Sequence, residues 1–109
     1  MSGLATTLKV KEAHMYCRMT RLHFEDERYD DLLEWCETVR SSIEAVEGFV
    51  TADLIRTGPG EGMIIAFYQD EASFEAASDV TAPVLMGMAE FLNAPTHVHA
   101  GSVGVSFGR

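Results

Sequence analysis

Basic residues are scarce. Lys and Arg together number 8 against 17 Asp and Glu, a formal net charge of −9. A surface with that balance repels nucleic acid and anionic lipid, so neither is expected as a partner. Cysteine is limited to Cys17 and Cys36, which make no disulfide framework and fit reduced core positions. No apolar run approaches the roughly 20 residues of a membrane span. The segment Met1 to Lys11 lacks the apolar h-region of a signal peptide, and a cytoplasmic protein is expected. Gly58-Pro59-Gly60-Glu61-Gly62 has no strand–loop–helix context, so it is neither a phosphate loop nor a dinucleotide fingerprint, and no nucleophile elbow occurs.

What is present is enough chain for one domain, 109 residues of which 47% are apolar. Its organising stretch is Phe49 to Asp70. Two apolar-rich runs, Phe49–Thr57 and Glu61–Gln69, flank Gly58-Pro59-Gly60 and predict a β-hairpin. Side chains alternate along a strand. The second run therefore shows Met63, Ile65 and Phe67 on one face and Ile64, Ala66 and Tyr68 on the other. A strand apolar on both faces belongs in the middle of a sheet that is covered on both sides. Helices of this chain cover one side. A second copy of the molecule is expected on the other.

Residues 1–13 have no period and are expected to form a mobile arm before a domain of residues 14–109. His14–Phe24 predicts the first strand. Asp and Glu residues at 25–31 then open a helix, where carboxylates offset the positive end of the dipole. Leu32, Cys36, Val39, Ile43 and Val46 make one apolar stripe along it, and Gly48 falls where a left-handed C-cap belongs. Asp70 is placed to cap the next helix. That helix is expected to break over Ser78–Pro83 and restart near Pro83, burying Val84, Leu85, Met88, Phe91 and Leu92 while Met86 faces away. Gly87 permits a close approach of another element. After a turn at Asn93-Ala94-Pro95, Thr96–Phe107 predicts the last strand.

The order strand, helix, strand, strand, helix, strand is the ferredoxin-like βαββαβ pattern, an α+β fold with a four-stranded antiparallel sheet. Right-handed crossovers place the first strand between the third and the fourth. Two such sheets face to face would make a dimeric α/β barrel.

Four features resemble the antibiotic biosynthesis monooxygenase-like family of dimeric α/β barrels. They are Val46-Glu47-Gly48-Phe49 at the end of the first helix and Tyr68-Gln69-Asp70-Glu71 at the end of the hairpin. The others are Phe74-Glu75-Ala76-Ala77-Ser78 and the run Pro83 to Leu92 before the last strand. Together they span about His14 to Phe107. The resemblance implies a small-molecule enzyme, a cofactor-independent monooxygenase acting on aromatic or polyketide-like substrates with molecular oxygen. The chain departs from the family pattern at three positions: Tyr68 stands where members often carry Trp, Ala77 where many carry His, and Ile64 where some oxygenases carry Asn. The rival reading is a non-catalytic dimeric ligand-binding or accessory domain, and a cavity with converging polar side chains would separate the two.

Two clusters are candidates for chemistry. The topology brings His23 near His97 and His99 with Glu25 close by, a donor set for zinc or iron, weighed against strand-end histidines without a metal. The latter is the expectation, so no metal or cofactor is assigned. The second candidate is an apolar cleft between sheet and broken helix, with Arg18, Tyr68 and Asp53 as polar anchors. Tyr68 and His23 are the candidate catalytic groups, histidine because it titrates near neutrality. Arg18, Asp53, His97 and His99 are the candidate ligand contacts.

Overall fold

Four strands pair in the order β2-β3-β1-β4, every neighbour antiparallel. This is a computed structural model, and it describes residues 14–108. The expected mobile arm, residues 1–13, lies outside the described residues. The strands are β1 (Tyr16–His23), β2 (Phe49–Gly58), β3 (Glu61–Tyr68) and β4 (His97–Ser102). Between β1 and β2 run helices α1 (Tyr29–Thr38) and α2 (Arg40–Glu44). Between β3 and β4 run α3 (Glu71–Ala76) and α4 (Ser78–Met88). The architecture is ferredoxin-like α+β, with β1 in the interior of the sheet as right-handed crossovers require.

The hairpin forms where the turn residues allow it. Gly60 takes φ +70°, and a Cβ there would crowd the carbonyl oxygen of Phe24. β3 is apolar on both faces. Gly62, Ala66 and Tyr68 are buried on the helix side, and Ile64 packs on the core there. Met63, Ile65 and Phe67 occupy the other face, partly exposed. No element among the described residues covers that second face with a core. The buried cluster of Leu22, Phe24, Leu32, Met88 and Phe91, and the smaller one of Ala66, Tyr68 and Ala77, both lie on the helix side.

The first helical stretch is not continuous. A 3₁₀ turn at Asp26–Arg28 precedes α1, and the helix is interrupted at Val39 (φ −105°, ψ 2°). The Thr38 hydroxyl donates to the Trp35 carbonyl at 2.6 Å, competing locally with the helical ladder. Leu32 is fully buried, whereas Cys36, Val39, Ile43 and Val46 are half-buried. Asp26 does more than meet a helix dipole: its carboxylate accepts from Arg56 and from the Gly60 backbone, tying the turn to the hairpin. Those bonds hold it below the usual carboxylate range, the Arg56 hydrogen bond first.

Gly48 ends the stretch at φ +83°, where a Cβ would collide with Ser73. Asp70 caps α3 by accepting from the Ser73 backbone N–H at 2.8 Å. The second break falls at Ala77, not over Ser78–Pro83, and α4 runs through Pro83. The proline is the sixth of the eleven residues of α4, on its exposed side, and without an N–H it leaves the Asp79 carbonyl no helical partner. Met86 is 77% exposed, as its position on the helix demands. β4 is shorter than Thr96–Phe107. Its ladder with β1 ends at Tyr16↔Ser102, one further backbone bond joins Val103 to Met15, and Val105 and Phe107 are exposed beyond it.

Candidate functional site

Between the helix side of the sheet and the broken helices lies a cavity of about 200 Å³, open on one side. Its floor is Arg18 and Thr20 of β1, Ala52 and Leu54 of β2, and Ile64, Ala66 and Tyr68 of β3. Trp35, Cys36, Thr81 and Met88 contribute walls from the helices. Small residues make the room: Ala66 faces Ala52 across the β2–β3 ladder, so two methyl groups stand where larger side chains would fill the space. The lining is apolar apart from a few groups, as small-molecule sites usually are.

Two of those groups converge. The Arg18 guanidinium donates from Nη2 to the Tyr68 hydroxyl oxygen at 3.1 Å. Their positions follow from register, since Arg18 pairs with Ala66 and Tyr68 with Tyr16 on adjacent strands. Arg18 also lies 5.8 Å from the ring centroids of both Tyr68 and Phe74. Its Nε is buried without a hydrogen-bond partner, and no described carboxylate pairs with it. At the rim, Arg40 is held by Glu37 at 2.7 Å and by Glu44 at 3.1 Å, so its charge is already answered. Arg18 is therefore an unneutralised cation in an apolar wall. Burial pushes the Tyr68 phenol above its ordinary range, against a lowering influence of Arg18. The phenol is neutral, accepts from Arg18, and keeps its own proton for another acceptor. Burial likewise raises the Cys36 thiol, a poor nucleophile in that state.

The remaining candidates lie across the sheet. His23 is five residues beyond Arg18 on β1, an odd separation, so alternation directs it to the opposite face. It is not among the residues that line the cavity. Asp53 borders the cavity through its strand but pairs with Ile65, a residue of the bare face, and its side chain shares that face. It is not brought together with Arg18 and Tyr68.

His23, His97 and His99 do come together, with Arg21 among them, around a shallow concavity of about 300 Å³ on the bare face. Arg21 pairs directly with His97 across the β1–β4 ladder. A guanidinium inside the cluster opposes a cation site. Glu25 is turned elsewhere, accepting from Asn93 at 2.9 Å. Among the described residues no group of three His, Cys, Asp or Glu is placed to hold a metal ion.

Thr20, Thr81 and Trp35 line the cavity without having been singled out as ligand contacts in the sequence. Thr20 was accessible to that reasoning, because it shares the β1 face of Arg18. Trp35 and Thr81 are not, because their approach depends on how the helices cross the sheet.

Comparisons with known proteins agree with this fold. The sequence model described as antibiotic biosynthesis monooxygenase matches residues 15–81. No protein in the curated set matches the sequence. Among solved structures, SnoaB, a cofactor-independent oxygenase from Streptomyces nogalater, superposes with a TM-score of 0.73 at 13% identity, covering 89% of this chain and 100% of that one. A monooxygenase from the gene ActVA-Orf6 of Streptomyces coelicolor, solved with the ligand nanaomycin D, gives 0.70 at 16% identity, with coverage of 87% and 91%. A protein of unknown function from Nitrosomonas europaea gives 0.72 at 15%, with coverage of 88% and 95%. At such identities the likeness is one of fold. No helix among the described residues is long and apolar enough to cross a membrane.

Proposed function

The chain belongs to the antibiotic biosynthesis monooxygenase family, and from that membership we propose that it is a cofactor-independent monooxygenase of small aromatic substrates that works as a homodimer. The observation that supports this reading most is the convergence of Arg18 and Tyr68 on one apolar cavity. A half-buried guanidinium whose Nε is enclosed without a partner is costly to keep in an apolar wall unless a ligand answers it.

Size restricts the ligand. An engineered apolar cavity of about 150 Å³ holds benzene. The 200 Å³ here accepts one or two fused rings, and a larger ring system extends through the open side. Arg18 favours the ionised form of a phenolic hydroxyl set against it, because an adjacent opposite charge lowers such a pKa. The electrons for reaction with oxygen then come from the phenolate, and the protein's work is to orient it and exclude water. The phenolic proton passes to bulk water at the open side of the cavity as the ligand enters, and Arg18 then holds the anion. Tyr68, its oxygen engaged by Arg18, presents its proton to oxygen-derived charge as it develops, an electrostatic role suited to a neutral phenol.

The bare face of the sheet supports the homodimer. Cys17, Met19, Ile55, Met63, Ile65 and Phe67 share it, a contiguous apolar surface of the kind that soluble monomers rarely display.

The reading is tested by oxygen uptake with a panel of mono- and bicyclic quinols. Uptake by the wild-type protein that falls by roughly tenfold or more in Tyr68→Phe and in Arg18→Met is expected, the scale of one lost general-acid or charge-stabilising group. Uptake that is absent throughout, or unchanged in both variants, rejects it.

A further inference from the structure

Two buried hydroxyls on the cavity wall have no partner among the described residues. Thr20 of β1 is 1% exposed and Thr81 of α4 is 5% exposed, and both line the cavity. Neither hydroxyl joins a side-chain hydrogen bond there. The surroundings explain why. Across the sheet Thr20 faces Ile64 on one side and Val98 on the other, and its neighbours on the same face of β1 are Arg18 and Leu22. Of these only Arg18 is polar, and its guanidinium is turned to Tyr68. A helical threonine commonly returns its hydroxyl to the carbonyl four residues back. For Thr81 that is the Ala77 carbonyl, which already accepts the backbone N–H of both Val80 and Thr81 at 2.9 Å. A buried hydroxyl without a partner costs stability, and a valine of nearly the same shape does not. Two such hydroxyls on one cavity point to a ligand that carries the missing partner.

Their position relative to Arg18 says where on the ligand that partner lies. α4 begins after Ala77, which clusters with Ala66 and Tyr68, and ends at Met88, which clusters with Leu22. One turn in from Ala77, Thr81 overlies the sheet between those contacts, where the rows of Arg18 and Thr20 run. Arg18 and Thr20 are two positions apart on β1, roughly 6.6 Å along the strand. The Arg18 side chain leans toward the Tyr16 end of β1, where Tyr68 and Phe74 lie, and so away from Thr20. Apolar Ala66 and Ile64 form the floor beside this span. Adjacent oxygens on one ring cannot serve both polar points. Oxygens at opposite ends of a ring can.

We propose that Thr20 and Thr81 form a second polar subsite of the cavity, which takes an oxygen at the far end of an aromatic ring whose phenolic oxygen is held by Arg18. The inference rests on the Arg18–Tyr68 reading of the cavity and adds the substrate class: a 1,4-dioxygenated ring system, as against a simple phenol or a catechol. A hydroxyl both donates and accepts, so the subsite suits a ring hydroxyl or a ring carbonyl alike. A site that leaves buried polar groups unpaired rejects analogues lacking the matching group, and the two threonines are therefore specificity-determining residues.

Calorimetric titration with oxygen excluded tests binding apart from turnover. The probes are 1,4-dihydroxynaphthalene, 1,2-dihydroxynaphthalene and 1-naphthol, each on the wild-type protein, Thr20→Val and Thr81→Val. The wild-type protein is expected to bind the 1,4-diol roughly tenfold tighter than either other probe, the scale of hydrogen bonds made at a buried site. Each variant is expected to lose most of that preference while its affinity for 1-naphthol stays within about twofold, which shows that its cavity is intact. A wild-type protein without the preference, a variant that keeps it, or a variant that weakens all three probes alike overturns the second subsite and leaves the Arg18–Tyr68 reading standing. A wild-type protein that binds none of the probes overturns both.

Discussion

Gly87 of α4 sits against the only tryptophan of the chain. A Cβ at that position would lie 2.9 Å from Cζ2 of Trp35, where ordinary contact begins at 3.4 Å, so the ring must retreat by 3.4 − 2.9 = 0.5 Å. Two effects of Gly87→Ala oppose each other. Helix propensity favours alanine by about 1 kcal/mol. Forcing apart a packed contact costs about 1–3 kcal/mol. Trp35 has little freedom to retreat, because its ring packs on Phe91 at 5.9 Å between centroids and Phe91 belongs to the main core. The packing cost therefore wins, and a net loss of about 1 kcal/mol, with a fall in Tm of roughly 4–8 °C, is expected. Trp35 also lines the cavity, so its displacement should shift its emission and lower affinity for an aromatic ligand followed by quenching. Thermal melts at one fixed protein concentration with parallel emission spectra decide the matter. A variant that melts higher than the wild-type protein with unshifted emission refutes the reasoning, since it would show that propensity acts alone and that the ring is free to move.

Other outcomes follow from single contacts. Leu32→Ala empties a fully buried site in the main cluster and should cost about 2–5 kcal/mol in urea unfolding. Phenolate absorbance should show one of the three tyrosines ionising above the ordinary value near 10, and that step should vanish in Tyr68→Phe. Because the folded value is raised, the stability linked to Tyr68 is complete below the ordinary value and is lost as pH rises through the folded one. Asp70 behaves oppositely: its bond from the Ser73 N–H depresses it, so its contribution is complete above the ordinary carboxylate value and is lost as pH falls through the lower folded one. Asp70→Asn keeps a good capping group and should flatten that acid limb in melts taken between neutral and strongly acidic pH.

Strand-level features were legible because alternation is strict. The two apolar faces of β3, the left-handed Gly48, the cap at Asp70 and the interior place of β1 all follow from residue types at fixed offsets. The pairing of Arg18 with Tyr68 follows from the same alternation, which sets His23 and Asp53 on the opposite face of the sheet from the cleft. Helix breaks were harder. A stripe of period 3.6 runs unbroken across Val39, yet Thr38 diverts the Trp35 carbonyl and the helix stops. Pro83 carries the stronger breaking signal, yet the break falls at Ala77. An interior proline removes one backbone bond and crowds the preceding turn, a cost of about 3 kcal/mol, and tertiary packing outweighs that. The end of β4 depended on how far β1 extends to pair with it, which no local pattern in Thr96–Phe107 encodes.

Register is what the cavity and the bare face have in common. Arg18 and Arg21 are three residues apart on β1, so one arginine serves each side of the sheet. A slip of one residue between β1 and β3 would exchange them. It would put Arg21 beneath the helices without a partner and leave Arg18 away from Tyr68. The chain guards against that slip with side chains that fit only one way. Leu22 and Thr20 are fully enclosed on the helix side, and neither Cys17 nor Met19 on the other face matches them in shape. On β2, register irregularities lie between Phe49 and Thr51 and again between Arg56 and Gly58, bracketing the regular stretch that carries Ala52 to the cavity and Asp53 to the bare face. The cavity and the bare face therefore cannot be altered independently by any change that moves a strand. Only substitutions that keep the backbone still, such as Tyr68→Phe on one side and Asp53→Lys on the other, separate what each face does.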